Sequence, residues 1–443
     1  MTLQEFIREH RNDDVRQLAL QMNRFPEIAF SEALQQIAGW QAACKKLPSW
    51  AENDAIKYPP HLSMEQCSSE RTARYKQRLV CRTFNEGGNE GESTLHHAVL
   101  IDLTGGFGVD FSFMAKDFGR AVYVERQSDL CETARHNFRV FGLKQAEVVC
   151  ADGVDYLQRM PEGNASDHTF IYIDPARRDR NGHKTYAIED CTPDVAGLRD
   201  VLLSRARRVL IKLSPMLDWH RAVEVMGSVG EVHIVSTGNE CKELLLLLDR
   251  RHESGAPLRV VCADDDRLFC YQTTTGDDVS DDNETCAATP ETVGTTAFDG
   301  APDFLLVPNA SVMKAGCFAE LQRRYGVRPL SANSHLFLSA TPADGFPGRQ
   351  FRIVAQSSIN RRELQRALQG IDRANIAVRN FPLTADELRK RLKLRDGGDV
   401  FLFATTDKNR RHVVFVTRKA ASAVDSEGAA DGYSAVSSNT HEA

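Results

Sequence analysis

The chain has 443 residues, 42% of them apolar and 26% charged, the composition of an ordinary folded protein of two or three domains. A formal net charge of −6 excludes a globally basic nucleic-acid binder, and no apolar run approaches the ~20 residues of a membrane span. The eleven cysteines are scattered without a Cys-x-x-Cys pair, which argues for reduced thiols in a cytoplasm and against a disulfide framework or a zinc site, so no metal is expected.

Residues 1–83 are expected to form a helical N-terminal region that opens without an apolar export core. Leu18, Leu20, Met22 and Phe25, then Phe30, Ala33, Leu34 and Ile37, recur at roughly helical spacing, and Trp40 and Trp50 are core candidates. After Pro59 and Pro60, within residues 61–80, Ser68 or Ser69 is expected to cap a helix with Tyr75 and Leu79 on one face. Its Arg71, Arg74, Lys76 and Arg78 form either a solvated face or a basic helix that approaches a nucleic acid. The glycine-rich stretch 84–94 reads as a linker.

An α/β domain is expected over 95–255. Short apolar runs at 98–103, 121–125, 147–151, 169–173, 208–213, 231–236 and 244–249 predict seven strands in a mostly parallel sheet, the last two pairing antiparallel at its edge. Residues 256–300 read as an acidic linker or insertion, with ten Asp/Glu against one Arg from 261 to 300, two short strands in RVVCADDDRLFCYQT and no periodicity beyond 276. A small α+β domain is expected over 301–419. It should hold one amphipathic helix over 309–326, strands in SHLFLSA and FPGRQFRIVA, two helices around the strand NIAVRNF, and a hairpin turning at Asp407-Lys408-Asn409. Residues 351–419 carry sixteen Lys/Arg against seven Asp/Glu, the modest footprint of an RNA binder or of ordinary solvated charge. The small, polar residues 420–443 read as a disordered tail.

The chemistry concentrates at strand ends. In VLIDLTGGFGVD, residues 99–110, an apolar run closes on Asp102, and Thr104, Gly105, Gly106, Phe107 and Gly108 follow before a helix that carries Asp110. That is a strand, a glycine turn and a helix start, the nucleotide-binding corner of a doubly wound domain, where a backbone without Cβ atoms can approach a ligand closely. Glu125 closes the second strand beside Arg126, Asp152 closes the third beside Gly153, and Asp174 closes the fourth. Each acid alone reads as a cap or turn residue. Together they suit a ligand that brings an ammonium for Asp102, ribose hydroxyls for Glu125 and an adenine edge for Asp152. A nicotinamide dehydrogenase fits less well, because Phe111 stands where its third glycine would fall.

The chain resembles a Rossmann-type S-adenosylmethionine-dependent methyltransferase through DLTGGFGVD, VERQ, ADG and DPARRD at successive strand ends. More narrowly it is similar to a bacterial methyltransferase family with a helical N-terminal region and a C-terminal THUMP-like domain, through MEQCSSERTARYK, YIDPARRD, IKLSPMLD, VPNASVMKAG and SANSHLF…FPGRQF. The resemblance implies a seven-stranded methyltransferase core and S-adenosyl-L-methionine as cofactor, held by Asp102, Thr104 to Gly108, Asp110, Glu125, Arg126, Asp152 and Gly153. It implies methyl transfer to RNA as the reaction. Asp174-Pro175-Ala176-Arg177 stands where base-modifying methyltransferases carry Asp/Asn-Pro-Pro-aromatic, with Ala176 and Arg177 departing from that pattern. Asp174 is the candidate for orienting the acceptor or taking its proton. Arg177 is its catalytic companion, gripping a phosphate or stacking by its guanidinium plane, and Arg178, Lys212 and Ser214 are substrate candidates. Cys191, the alternative of a covalent nucleophile, precedes Thr192-Pro193, which reads more simply as a helix cap. Two other functions remain open: methylation of a protein or small molecule, and a non-catalytic RNA-binding protein that keeps the cofactor fold.

Overall fold

The computed structural model describes residues 1–85, 94–162, 167–176, 188–253, 255–273 and 302–420. Two compact units divide the chain, Met1–Asp277 and Asp278–Ala443. Arg177, Arg178, the 276–300 insertion, the tail after 420 and nearly all of the 84–94 linker lie outside the described residues. Among the described residues no helix is long and apolar enough to cross a membrane.

The first unit opens with six helices: α1 (Leu3–His10), α2 (Val15–Ala19), α3 (Phe30–Lys46), α4 (Pro48–Ala51), α5 (His61–Gln66) and α6 (Glu70–Asn85). Phe6, Leu18, Phe30, Ala33 and Ile37 form their outer core. The later helices pack directly on the α/β part. Tyr75, Leu79 and Val80 of α6 join one cluster with Leu100, Phe111, Tyr123 and Phe170. Trp50 of α4 meets the Phe107 ring edge-on at 4.9 Å.

A nine-stranded sheet follows: β1 (Val99–Asp102), β2 (Arg120–Glu125), β3 (Ala146–Cys150), β4 (Thr169–Ile173), β5 (Arg208–Leu213), β6 (Val229–Thr237), β7 (Glu240–Asp249), β8 (Leu258–Asp264) and β9 (Arg267–Thr273). Its order is β3-β2-β1-β4-β5-β7-β6-β8-β9. The β1/β2, β1/β4, β2/β3 and β4/β5 pairs are parallel, so Asp102, Glu125 and the residues after β3 and β4 share one edge. The helices of this part are α7 (Val109–Met114), α8 (Ser128–Val140), α9 (Gly153–Arg159), α10 (Arg199–Arg205) and α11 (Trp219–Met226). As expected, β6 and β7 pair antiparallel, but β7 lies inside the sheet, between β5 and β6. Five consecutive leucines, Leu244 to Leu248, are all buried, and only a strand covered on both faces can bury such a run. Beyond β6 the sheet continues through β8 to an edge at β9, two strands that form where the acidic stretch promised two short ones.

The second unit is a seven-stranded sheet, order β11-β12-β10-β13-β16-β15-β14. Its elements are β10 (Phe304–Pro308), α12 (Ala310–Ala315), α13 (Phe318–Tyr325), β11 (Arg328–Pro329), β12 (Phe337–Ser339), β13 (Gly348–Ser358), α14 (Arg361–Ala367), β14 (Asn375–Arg379), α15 (Ala385–Leu392), β15 (Val400–Thr406) and β16 (His412–Lys419). The single helix expected over 309–326 is two helices, because Gly316 adopts φ +70° and closes α12 before α13 begins. The expected helix–strand–helix and the hairpin across 407–411 are present as α14, β14, α15, β15 and β16. Alternation along β15 and β16 sends Phe403 and Phe415 to one core, and Leu402, Val414 and Val416 to another under α14 and α15.

Trp50 is 2% exposed and closes the α4 contact with Phe107. Trp50→Ala is expected to destabilise the first unit by about 3–5 kcal/mol, read from its denaturant-unfolding transition. A shift within about 0.5 kcal/mol would contradict this packing role.

Candidate active site

β1 delivers Asp102 to the sheet edge with 1% exposure, and its carboxylate accepts the Thr104 N–H at 2.9 Å. That is its sole donor among the described residues. Burial drives the Asp102 carboxyl well above its ordinary range, and the nearby charges of Asp110, Asp174 and Glu125 add to the effect. The chain then bends through Gly105, whose N–H donates to the Val124 carbonyl at 2.9 Å. Gly106 follows at φ +55°, a left-handed geometry that a side chain would strain. A Cβ on Gly106 would meet nothing nearer than 3.7 Å, so the open side of the turn lies there. The Gly106 N–H donates to Glu125 Oε2 at 2.9 Å, while Glu125 Oε1 accepts the Gln127 N–H at 2.9 Å. Gly108 caps α7 and its N–H returns to the Gly105 carbonyl at 2.9 Å.

The remaining candidates separate. The Phe107 ring turns into the cluster with Trp50, Tyr58 and Phe113, so only its backbone belongs to the turn. Asp152 caps α9, accepting the Val154 and Asp155 N–H groups at 2.8 and 3.2 Å through one oxygen. Gly153 allows the closest approach, since a Cβ there would lie 2.1 Å from the Leu103 carbonyl oxygen at the β1 turn. Arg126 is exposed. Ser214 is buried and its Oγ accepts the Met216 N–H at 3.2 Å, a turn-forming contact. Asp174 is fixed twice: its N–H donates to Thr104 Oγ1 at 2.7 Å, and its carboxylate accepts Lys212 Nζ at 2.6 Å. About a third of its side chain (36%) stays exposed at the edge.

A buried charge network runs behind Asp174. Lys212 Nζ also lies 3.7 Å from Asp110 and donates to Ser68 Oγ at 3.1 Å. Asp110 accepts the Ser68 and Tyr172 hydroxyls at 2.7 Å each and lies 3.1 Å from Lys76 Nζ. Lys76 is fully buried and also pairs with Glu243 of β7. Burial opposes charge on Lys212, but Asp174, Asp110 and Glu243 outweigh it and raise its pKa, so it stays an ammonium. Burial likewise pushes Asp110 upward, but Lys76, Lys212 and the two hydroxyls hold it below the ordinary carboxylate range.

Sequence reasoning placed Asp110 and Lys212 as independent candidates and missed Ser68, Lys76, Tyr172 and Glu243. Lys76 belongs to neither of the readings offered for the α6 charges, since it is 0% exposed. The one available signal was Glu243, a lone acid opening a five-leucine run. Cys191 is buried, and burial with the nearby Asp190 and Asp174 pushes its thiol up to about 11, unlike an activated nucleophile. The helix expected to start at Thr192-Pro193 does not form there. Thr192 instead bridges Ala176 through two backbone hydrogen bonds of 2.7 and 3.0 Å, and α10 begins at Arg199. Among the described residues no group of three or more His, Cys, Asp or Glu is placed to hold a metal.

Two family models match the second unit, one described as THUMP domain-like over residues 348–419 and one as a ferredoxin-like domain over residues 304–347. Comparison with curated proteins finds no match. Among solved structures the chain is similar to a "putative methyltransferase" from Porphyromonas gingivalis W83, with 28% identity and a TM-score of 0.74 over 95% of this chain and 98% of that one. A SAM-dependent methyltransferase from Agrobacterium tumefaciens matches 41% of this chain and 61% of its own, with 16% identity and a TM-score of 0.29. An RNA methyltransferase from Salinibacter ruber, in complex with S-adenosyl-L-homocysteine, matches 41% of this chain and 92% of its own, with 16% identity and a TM-score of 0.26. The full-length likeness spans both units, so the expected pairing of a methyltransferase-type core with a THUMP-like C-terminal domain is present.

Lys76→Met strands Glu243 in the interior and is expected to cost about 3–5 kcal/mol in denaturant unfolding. Adding Glu243→Leu removes the stranded charge, so the double variant should be more stable than the single one. A double variant less stable than Lys76→Met alone would contradict the pairing.

Proposed function

We propose that this chain, a Rossmann-type methyltransferase fold carrying a THUMP-like C-terminal domain, transfers a methyl group from S-adenosyl-L-methionine to RNA. One observation carries the reading most. Asp102, Glu125, Asp152 and Asp174 stand along one sheet edge beside the open side of the Gly106 turn. Asp102 is the sharpest case, a buried carboxylate with a single described donor. A ligand ammonium placed there would supply the missing charge and hydrogen bonds.

S-adenosyl-L-methionine, when bound, supplies a methyl group on a sulfonium that an acceptor displaces in line. The chain's own residues hold and align. Asp102 would take the ammonium of the amino-acid moiety. Glu125 is oriented by the Gly106 and Gln127 N–H groups and keeps lone pairs for ribose hydroxyls. Asp152 uses one oxygen for its capping bonds and keeps the other for the adenine edge. Gly105, Gly108 and Gly153 let the backbone close around that space.

Asp174 is the acceptor-side residue. Its backbone is tied to the cofactor turn through Thr104 Oγ1 and its carboxylate is held by Lys212. A carboxylate fixed in this way can receive an acceptor N–H and keep its lone pair aligned, an orientation effect that accounts for much of a positioned reaction. Lys212 therefore positions Asp174 rather than touching substrate. Arg177 and Arg178 directly follow Asp174-Pro175-Ala176 in sequence and remain the candidates for gripping RNA phosphate.

RNA is favoured as acceptor by the basic C-terminal stretch, with sixteen Lys/Arg against seven Asp/Glu over 351–419, and by its THUMP-like match. A protein or small-molecule acceptor would predict that RNA competes poorly and that binding depends little on salt.

Mass spectrometry of RNA nucleosides from a deletion strain, set against the parent strain, should show one methylated nucleoside lost, and its restoration should require the intact protein. Asp174→Ala should lower methyl transfer at least about 100-fold while leaving calorimetric affinity for the cofactor within about twofold. An unchanged nucleoside profile would overturn the RNA assignment, and lost cofactor affinity would overturn the role of Asp174.

A further inference from the structure

An open groove of about 610 Å³ on the first unit is lined by Lys45, Lys46, Arg71, Arg74 and Lys242, with Glu70 its one acidic residue. The last turn of α3 supplies the first two lysines, the first turns of α6 the arginines, and β7 supplies Lys242. Its wall at Thr237 and Gly238 is the β6–β7 turn. Both β5 and β6 run antiparallel to β7, so β5 and β6 point the same way and this turn stands at the edge that carries Asp174.

The groove and the acceptor carboxylate are joined by one peptide. Ser69 lines the groove, while its neighbour Ser68 accepts from Lys212, which holds Asp174. The charges there do not balance. Arg71 pairs with Asp265 at 2.7 Å, Arg74 with Glu70 at 2.6 Å and Lys242 with Glu240 at 2.7 Å. Lys46 donates to the Met64 and Glu65 carbonyls, at 2.9 and 2.7 Å, and also meets the Cys67 thiol; among the described residues neither Lys46 nor Lys45 has a carboxylate partner. Five cations thus face three carboxylates, which leaves a surplus of two positive charges in a concave site.

We infer that this groove holds the phosphodiester backbone of the RNA substrate and sets the approach of its target nucleotide to Asp174. The inference rests on the RNA reading above. The acid-lined cofactor edge repels phosphate, so a polyanion can bring a base to Asp174 only if cations hold its backbone alongside. Arg71 is 74% exposed, Arg74 48% and Lys242 39%, and ion pairs this open are weak enough to exchange for phosphate. Guanidinium forks also match phosphate oxygens well.

The test uses the full chain and a short fluorescein-labelled single-stranded RNA of mixed sequence, with anisotropy measured between about 50 and 200 mM salt. Lys45→Glu/Lys242→Glu should weaken binding at least tenfold at low salt and flatten the dependence of log K on log salt by about 1.4, the value for two lost single-strand phosphate contacts. Calorimetric affinity for S-adenosyl-L-methionine should not change. If charge reversal disturbs folding, the neutral pair Lys45→Gln/Lys242→Gln decides, with a smaller loss in the same direction. Wild-type binding of RNA with unchanged affinity and slope in the variants would overturn the groove and leave the RNA reading standing. A wild-type chain that binds no RNA would overturn both.

Discussion

Two buried lysines hold three carboxylates together behind the sheet edge, and the first unit depends on that arrangement. Lys76 and Lys212 share Asp110; Lys76 adds Glu243, and Lys212 adds Asp174. Ion pairs this deep are expensive to desolvate and survive only when nearly every donor and acceptor is satisfied. The Ser68 and Tyr172 hydroxyls both donate to Asp110 Oδ2, and Oδ1 is left with the Lys76 ammonium at 3.1 Å. Even so, one negative charge is left over before Asp102 and Glu125 are considered. Burial answers part of that excess by raising the pKa of Asp102, and a cationic ligand would answer it directly: the proposed cofactor carries a sulfonium and an ammonium.

The network also explains why the N-terminal helices pack on the sheet. Ser68 comes from just before α6 and Lys76 from α6 itself, Asp110 from α7, Tyr172 from β4, Lys212 from β5 and Glu243 from β7. The same helix sends Tyr75, Leu79 and Val80 into the sheet's core. The segment thus contributes to the charge behind Asp174, and through Ser69, Arg71 and Arg74 it shapes the groove beside it.

Much of the frame was legible because strands that end in acids leave a regular mark: apolar runs of four to six residues closing on Asp or Glu. The glycine turn, the strand ends at Asp102 and Glu125 and the C-terminal hairpin were all readable from local pattern. What escaped was tertiary. The place of β7 inside the sheet is signalled only by five leucines that local periodicity does not position. Lys76 reads as a surface charge in any helical wheel, because its partners Glu243 and Asp110 lie 167 and 34 positions away along the chain. The amphipathic pattern over 309–326 runs straight through Gly316, yet the backbone turns left-handed there and ends α12. Phe107 sat in the right loop, but backbone direction sends its ring to Trp50.

The central claim is that the acids at the β-ends surround an adenosyl cofactor, with Asp102 facing its ammonium. Asp102→Asn keeps an acceptor for the Thr104 N–H and replaces the other carboxyl oxygen with an amide NH2, which cannot ionise to pair with an ammonium. Calorimetric titration of this variant and of wild type, with S-adenosyl-L-homocysteine and with methylthioadenosine, which lacks the amino-acid moiety, isolates that contact. The account predicts that the variant loses at least tenfold in affinity for the first ligand, about 1.4 kcal/mol or more, and almost none for the second. Equal affinities of wild type and variant for S-adenosyl-L-homocysteine would contradict it.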